Sequence, residues 1–404
     1  MMQSRQAKGL ELSARSNITQ QNGLWSVPSQ HSHKRYTVRY DSDPKTCTCP
    51  DYEKRHLPCK HIYAVATLVS PQLIIQQPKA VRQQGPTYKQ SWHEYNLAQT
   101  NEKAHFQELL FQLCQNIEEP IQTFGRPRMP LSDVIFGAAY KIYSTVSGRR
   151  QQADLKQAHA RGLVSRSAHY NTIFKYLELE MLTPYLHQLI RESSQPLKAI
   201  ESDFAVDSSG FRVKGFVRWF NTKYGKDVEN HDWLKVHLMC GVKTNIVTSV
   251  EITERHANDN PYFEPLVNKT VESGFRLREV SADSAYSSRS NLRLVKKHEA
   301  TPYVDFKENS KGGSKCETWN SLFHYFSLHR EEFYQHYHKR SNVESTFWMI
   351  KSKFGEQIRS KTATAQKNEA LLKVLCHNIC CVIQSMYEFG IDTDFVGKRD
   401  FMGS

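Results

Sequence analysis

Three cysteines and a histidine crowd into one short stretch, Cys47-Thr48-Cys49-Pro50-Asp51-Tyr52 followed by Pro58-Cys59-Lys60-His61. Three thiolates and an imidazole make the ligand set of a closed tetrahedral zinc site. With four protein ligands no position stays open, so one such Zn2+ ion is structural. A single residue separates the ligands of each pair, tighter than the common two-residue spacing. His56 competes with His61 for the fourth place, and His61 is preferred. The other six cysteines, Cys114, Cys240, Cys316, Cys376, Cys380 and Cys381, are scattered. In a reducing compartment this distribution signals metal at the cluster rather than disulfides.

A second set of residues is acidic. Phosphoryl transfer on DNA can be driven by two divalent ions a few ångströms apart, one activating the attacking oxygen and one stabilising the leaving oxygen. Magnesium keeps several waters and takes one or two carboxylates from the protein, so three acids on neighbouring elements suffice. Asp207 ends the apolar run Phe204-Ala205-Val206 and precedes Ser208-Ser209-Gly210, which reads as a strand delivering an acid to its tip. Asp283 repeats the arrangement after Val280-Ser281-Ala282. Glu344 lies in a helical segment from Tyr337 to Lys351, on which Tyr337, Arg340, Glu344 and Lys351 recur at three, four and seven and share one face. Of the other acids that could be mistaken for ligands, Asp203, Asp227, Asp232, Asp259 and Asp305, most read as surface or turn residues. His256-Ala257-Asn258-Asp259 could position DNA or a ligand, and Trp233 and Trp348 read as core aromatics before base-stacking ones.

The elements that must hold these residues fall into blocks. Residues 1–70 carry two short alternating segments, Leu24 to Val27 and Tyr36 to Tyr40, then the cysteines, then a helical run from His61 to Val69. Residues 71–90, rich in Pro and Gln, read as a linker. Residues 91–200 show apolar positions at three- and four-residue intervals, as at Phe106, Leu109, Leu110 and Leu113, and predict a helical domain. Ser132 is expected to cap a helix over 133–146, and Ser165 to precede a second one holding Ile173, Phe174 and Leu177. Arg149, Arg150, Lys156, Arg161, Arg166 and Lys175 permit a helix-turn-helix module with a basic face, and equally a three-helix packing with solvated charges. Residues 201–392 alternate β-rich runs with helical ones, a mixed α/β domain.

The whole chain has 404 residues, 54 Lys and Arg against 41 Asp and Glu, a net charge of +13 and a pI of about 9.2. That balance suits a polyanionic partner without naming it. Met1 to Asn22 has no apolar stretch of the kind export requires, so the protein is expected to stay inside the cell. The run from Ala370 to Met386 is interrupted by Lys373, His377, Asn378 and Gln384 and predicts a packed core helix, with no membrane partner.

Two resemblances follow from these motifs. The pattern C-x-C-x9-C-x-H, with strands before it and a helix after, resembles the SWIM-type zinc finger. Y-x2-R-x3-E-x6-K, matched at Tyr337, Arg340, Glu344 and Lys351, resembles the signature around the catalytic glutamate of insertion-sequence DDE transposases of bacteria and archaea. Val206-Asp207-Ser208 and Ala282-Asp283-Ser284-Ala285-Tyr286 resemble the strand-end motifs of that group's other two acids. The resemblance implies an α/β fold with a ribonuclease H-like catalytic core, a helical DNA-binding domain and a small N-terminal zinc finger. The short spacing from Asp283 to Glu344 leaves no room for the large β-rich insertion of some relatives. It implies that Asp207, Asp283 and Glu344 are catalytic and ligate two Mg2+ or Mn2+ ions, and that Tyr337, Arg340 and Lys351 meet DNA. The implied function is to bind the terminal inverted repeats of a mobile element, cleave the ends and join them to target DNA, as a homodimer in the synaptic complex. The implied location is the cytoplasm and nucleoid of a prokaryotic host. A non-catalytic DNA-binding regulator derived from a transposase, or a structure-selective nuclease, are the rival readings.

Overall fold

The computed structural model describes residues 17–30, 34–42, 45–69, 91–213, 233–307 and 315–393, with isolated positions 5, 8, 9, 12, 13, 310 and 395. The expected linker at 71–90, Asp227 and Asp232 lie outside the described residues. The chain divides into two compact units, Met1–Pro86 and Thr87–Ser404.

In the first unit, β1 (Thr19–Gln21), β2 (Leu24–Pro28), β3 (Arg35–Arg39) and β4 (Thr46–Cys47) form an antiparallel sheet in that order, followed by α1 (Pro50–Arg55) and α2 (Lys60–Val69). The β1–β2 hairpin turns on Asn22-Gly23, both at positive φ, as two-residue hairpin loops require. Val27, Val38, Ile62 and Val65 pack against the three cysteines in a small core. A core of this size needs a staple.

The second unit is built on a six-stranded mixed sheet of β5 (Asp203–Val213), β6 (Trp233–Gly241), β7 (Val247–Glu254), β8 (Glu279–Ala282), β9 (Thr301–Val304) and β10 (Gln357–Ile358). The order is β7-β6-β5-β8-β9, with β10 also on β5. β5, β6 and β7 are an antiparallel meander, while β8 and β10 run parallel to β5 and β9 runs parallel to β8. These are the order and directions of a ribonuclease H-like sheet. Side chains alternate across it. Phe204 and Val206 face α8 (Asn260–Glu272), α9 (Arg289–Lys297) and α10 (Glu317–Leu328), where Phe263, Leu266, Leu292, Val295 and Trp319 complete one core.

Ala205 and Phe211 face the other way. There they meet α3 (Trp92–Gln115), α4 (Leu131–Ser144), α5 (Gly148–Ala160), α6 (Tyr170–Leu177), α7 (Leu182–Ser194), α12 (Ser341–Phe354) and α13 (Ala363–Phe389). Between α10 and α12 lies α11 (Arg330–Tyr337). Leu110, Phe136 and Ile190 belong to the same continuous apolar cluster as Leu238, Val250 and Leu375. The expected boundary at residue 200 therefore runs through a shared core. The helices before the sheet pack chiefly on α13 and on one another, and α7 also packs on β7.

Two expected caps are corrected. Helix α4 begins at Leu131, and Glu119 caps it from outside, accepting from the Leu131 and Ser132 N–H groups at 2.7 and 2.9 Å and from the Ser132 hydroxyl at 2.8 Å. Ser165 donates its hydroxyl to the buried Asp133 at 2.7 Å, and His169 caps α6 instead.

Helix α13 is long and apolar enough, by length and composition, to cross a membrane, yet 78% of its most apolar window is buried inside the protein. Of its four polar interruptions, Gln384 bonds Glu388 on the same helix and the other three reach other segments. Lys373 donates to the Gly355 and Gln357 carbonyls at 2.6 and 2.9 Å, and His377 Nε2 lies 2.9 Å from the Asn245 carbonyl. Asn378 accepts from the Val247 N–H at 2.9 Å and donates to the Val247 carbonyl at 2.8 Å, acting as a substitute strand at the start of β7. Truncating it leaves two buried backbone groups unpaired. Asn378→Ala is expected to destabilise this unit by about 1–3 kcal/mol, measurable as a lowered urea midpoint at constant slope.

Candidate active site

The parallel pairing of β5 with β8 runs from Asp203↔Glu279 to Val206↔Ala282 and then stops. Asp207 and Asp283 are the next residue of each strand. Strand β5 continues through Asp207 to Val213 and pairs with β10 from Arg212, so the expected strand tip is corrected: Asp207 is mid-strand, at the point where its neighbour ends. The crevice so opened along β5 is at the reversal of strand order, where open α/β sheets place their ligands. Asp283 there caps a short 3-10 turn, Ser284–Tyr286, by accepting from the Ser284 N–H.

Helix α12 packs its Val343, Phe347 and Ile350 into the core beside β5 and brings Glu344, in its first turn, to the crevice. The single helix expected over Tyr337 to Lys351 is broken. Helix α11 ends at Tyr337, a 3-10 turn spans His338–Arg340, and α12 starts at Ser341. Arg340 sits at that break and forks. One guanidinium nitrogen donates to Asp207 Oδ2 at 2.7 Å, and the other donates to Glu344. Asp207 also accepts the Ser208 N–H at 2.8 Å. Burial pushes the Asp207 carboxyl up to about 6, against the Ser208 N–H and the Arg340 charge; Asp283 and Glu344, also close by, push it the same way as burial. Three like charges around one crevice create a demand for cations that Arg340 meets in part. With Arg340 in between, the three acids do not close into a donor group as tight as that at the cysteines.

Lys351 reaches the same strand two residues past Asp207, donating to the Ser209 hydroxyl at 2.8 Å, with burial lowering its pKa. Tyr337 is half-buried among Phe333, Tyr334 and His338, and burial raises its hydroxyl to about 12. Its packing role is evident from these rings.

A neighbouring ionic cluster was not anticipated. Asp203 and Glu279, register partners four residues upstream of Asp207 and Asp283, form a second pair of acids on the same two strands. Lys339 donates to both, at 2.8 and 2.7 Å, and Arg278 grips Asp203 through two bonds of 2.7 and 2.6 Å. Consecutive residues of the 3-10 turn thus answer consecutive acid pairs, and the turn that carries Arg340 is pinned by Lys339. Equal offsets of the two acids on each strand were the available signal. Asp203 is accordingly buried, not a surface residue. Asp305 is half-buried near Tyr334, and Asp259 bonds Lys235 at 2.8 Å and lies 3.3 Å from the buried His237, a structural tie within the sheet unit. Trp233 lies over Gly210, where an added Cβ would meet its ring at 2.8 Å, whereas Trp348 is 69% exposed and outside the core.

In the first unit Cys47 ends β4, Cys49 precedes α1, and Cys59 and His61 flank the start of α2. All four are buried and their ligand atoms lie within 4.8 Å of one another. His61 Nδ1 is 3.9 Å from Cys47 Sγ and 3.8 Å from Cys59 Sγ. A tetrahedral zinc with bonds of about 2.0–2.3 Å holds its ligands about 3.5–3.8 Å apart, so His61 already stands at ligand spacing and the widest pair closes by up to about 1 Å on the ion. The Cys47 thiol lowers the Cys59 pKa against burial, with His61 and the Ile62 N–H assisting. His56 caps α1 at positive φ and packs on Tyr52, outside the cluster.

Residues 198–379 match the family model of the transposase DDE domain, and residues 36–69 match that of the SWIM zinc finger. No curated protein matches the chain. Among solved structures, the cryo-EM structure of a piggyBac transposase synaptic complex with hairpin DNA is similar over 75% of this chain and 77% of that one, at 10% identity and a TM-score of 0.35, an overlap too loose to carry an argument.

Proposed function

We propose that this chain, which carries a transposase DDE domain behind a SWIM zinc finger, binds the terminal inverted repeats of a mobile element, cleaves the DNA ends and joins them to target DNA. The observation that supports this most is the side-by-side emergence of Asp207 and Asp283 from two parallel strands, with Glu344 brought to the same crevice by α12. These three carboxylates would hold two magnesium or manganese ions, which when bound supply activation of the attacking oxygen and neutralisation of the leaving one. Arg340 and Lys351 line the approach and would take DNA phosphates, Arg340 through its two-pronged guanidinium. Arg149, Arg150, Lys156, Arg161, Arg166 and Lys175 are all exposed and supply a basic surface for the duplex, mainly through phosphates. Two ends must be paired before joining, so the active form is a homodimer.

A strand-transfer assay with labelled end DNA and magnesium tests the reading. Joined products are expected. Cleavage without joining would make the protein a nuclease on the same fold, and binding alone would make it a regulator.

A further inference from the structure

The connection between α3 and α4, residues 116–130, contains no helix or strand yet is internally fastened. Gln122 is the fastener. Its Nε2 donates to the Phe124 and Arg126 carbonyls at 2.8 and 2.9 Å, and its Oε1 accepts from the Arg128 N–H at 2.9 Å. Gly125 turns the chain at φ +87°, a conformation that L side chains rarely adopt. Glu119 anchors the far end as the cap of α4. Side chains on this closed loop are open to solvent: Ile121 is 92% and Phe124 88% exposed, and Arg126, Pro127 and Arg128 are exposed beside them. Among the described residues neither guanidinium group has an acidic partner. A cleft of about 800 Å³ is lined by Phe124 and Met129 on the loop side and by Tyr176 and Met181 on the other.

A preorganised loop that presents unpaired arginines and bare apolar side chains together is built for a partner that is both anionic and partly apolar. Duplex DNA is such a partner, and the groove is determined by thickness. The major groove admits a helix or a two-stranded ribbon, whereas a single extended segment fits the minor groove, about 6 Å wide. Proline fixes its own φ and holds Arg126 extended, so Arg126-Pro127-Arg128 is such a segment. Arginine is weakly hydrated and favours the narrow, strongly negative groove of A·T tracts, and apolar residues beside it wedge against base steps. We propose that the Phe124–Arg128 loop enters the minor groove of A·T-rich duplex DNA through Arg126 and Arg128. This rests on the reading of the chain as a DNA-end-binding protein and assigns part of that binding to one loop.

Fluorescence anisotropy with the full chain and three short duplexes of equal length tests it, one of A·T, one of G·C and one of inosine·C pairs. Inosine lacks the amino group that guanine shows in the minor groove, while its major-groove face is like that of guanine. The chain is expected to bind A·T and inosine·C alike and G·C at least about tenfold more weakly. Arg126→Ala with Arg128→Ala should erase that preference with an unchanged thermal transition. Arg126→Lys with Arg128→Lys, keeping the charge, should restore the affinity for G·C-level binding and not the preference. Equal binding of inosine·C and G·C, or a double alanine variant that keeps the preference, would overturn the loop assignment while cleavage and joining still stand. A chain that binds none of the duplexes would overturn the end-binding reading with it.

Discussion

Glu344→Gln is expected to lower end cleavage by on the order of a thousandfold or more while leaving the affinity for uncut end DNA within a few-fold of the parent. Glutamine keeps the shape of the side chain and removes the charge that a divalent ion needs. It also frees one arm of Arg340, which now bonds both Asp207 and Glu344. The two effects separate by measurement. Manganese binding followed by electron paramagnetic resonance should weaken in Glu344→Gln because a ligand charge is gone. Duplex binding should hold, since Arg340 becomes more available to phosphate. Full cleavage by the variant would remove Glu344 from the reaction.

Cys59→Ser is expected to release zinc and unfold the first unit alone. A structural zinc contributes an apparent 10–16 kcal/mol, about the largest single stabilising interaction open to a small module, and the first unit's core offers little besides. Cys59 is one of the four buried ligand residues, so its replacement breaks the closed set. Division of the chain into two compact units predicts that calorimetry will show one transition lost and the other kept. Zinc content falling from one ion per chain to none is the companion measurement. A variant that retains its zinc would disprove the ligand assignment.

The zinc ligands were readable because all four fall within one short stretch, where spacing alone brings them together. The acids of the crevice were readable for a different reason: each follows an apolar run that local pattern marks as a strand. What local pattern does not encode is where a neighbouring strand stops. Asp207 reads as a strand end, and lies mid-strand because β6 stays paired with β5 through Arg212, where β10, from a segment more than a hundred residues later, joins as well. The helical period around Glu344 was correct for α12 and failed at His338–Arg340, where the pull of Asp203, Glu279 and Asp207 on Lys339 and Arg340 tightens the chain into a 3-10 turn. Ser132 had the right composition for a cap and lost the role to Glu119, a partner brought in by the preceding loop. The apolar period of α3 and α4 is equally consistent with a free-standing bundle and with helices joined through α13 to the core of the sheet, and only the shared core separates the two.

Because β5 and β8 are joined in register, the acid pairs Asp203 with Glu279 and Asp207 with Asp283 behave as rungs of one ladder. Inserting a single residue between Asp203 and Asp207 would turn every later side chain of β5 to the opposite face and scatter the crevice. Lengthening the connections between the strands would leave both rungs where they are. The protein's tolerance of insertions is thus set by which side of a rung they fall on, not by their distance from the chemistry.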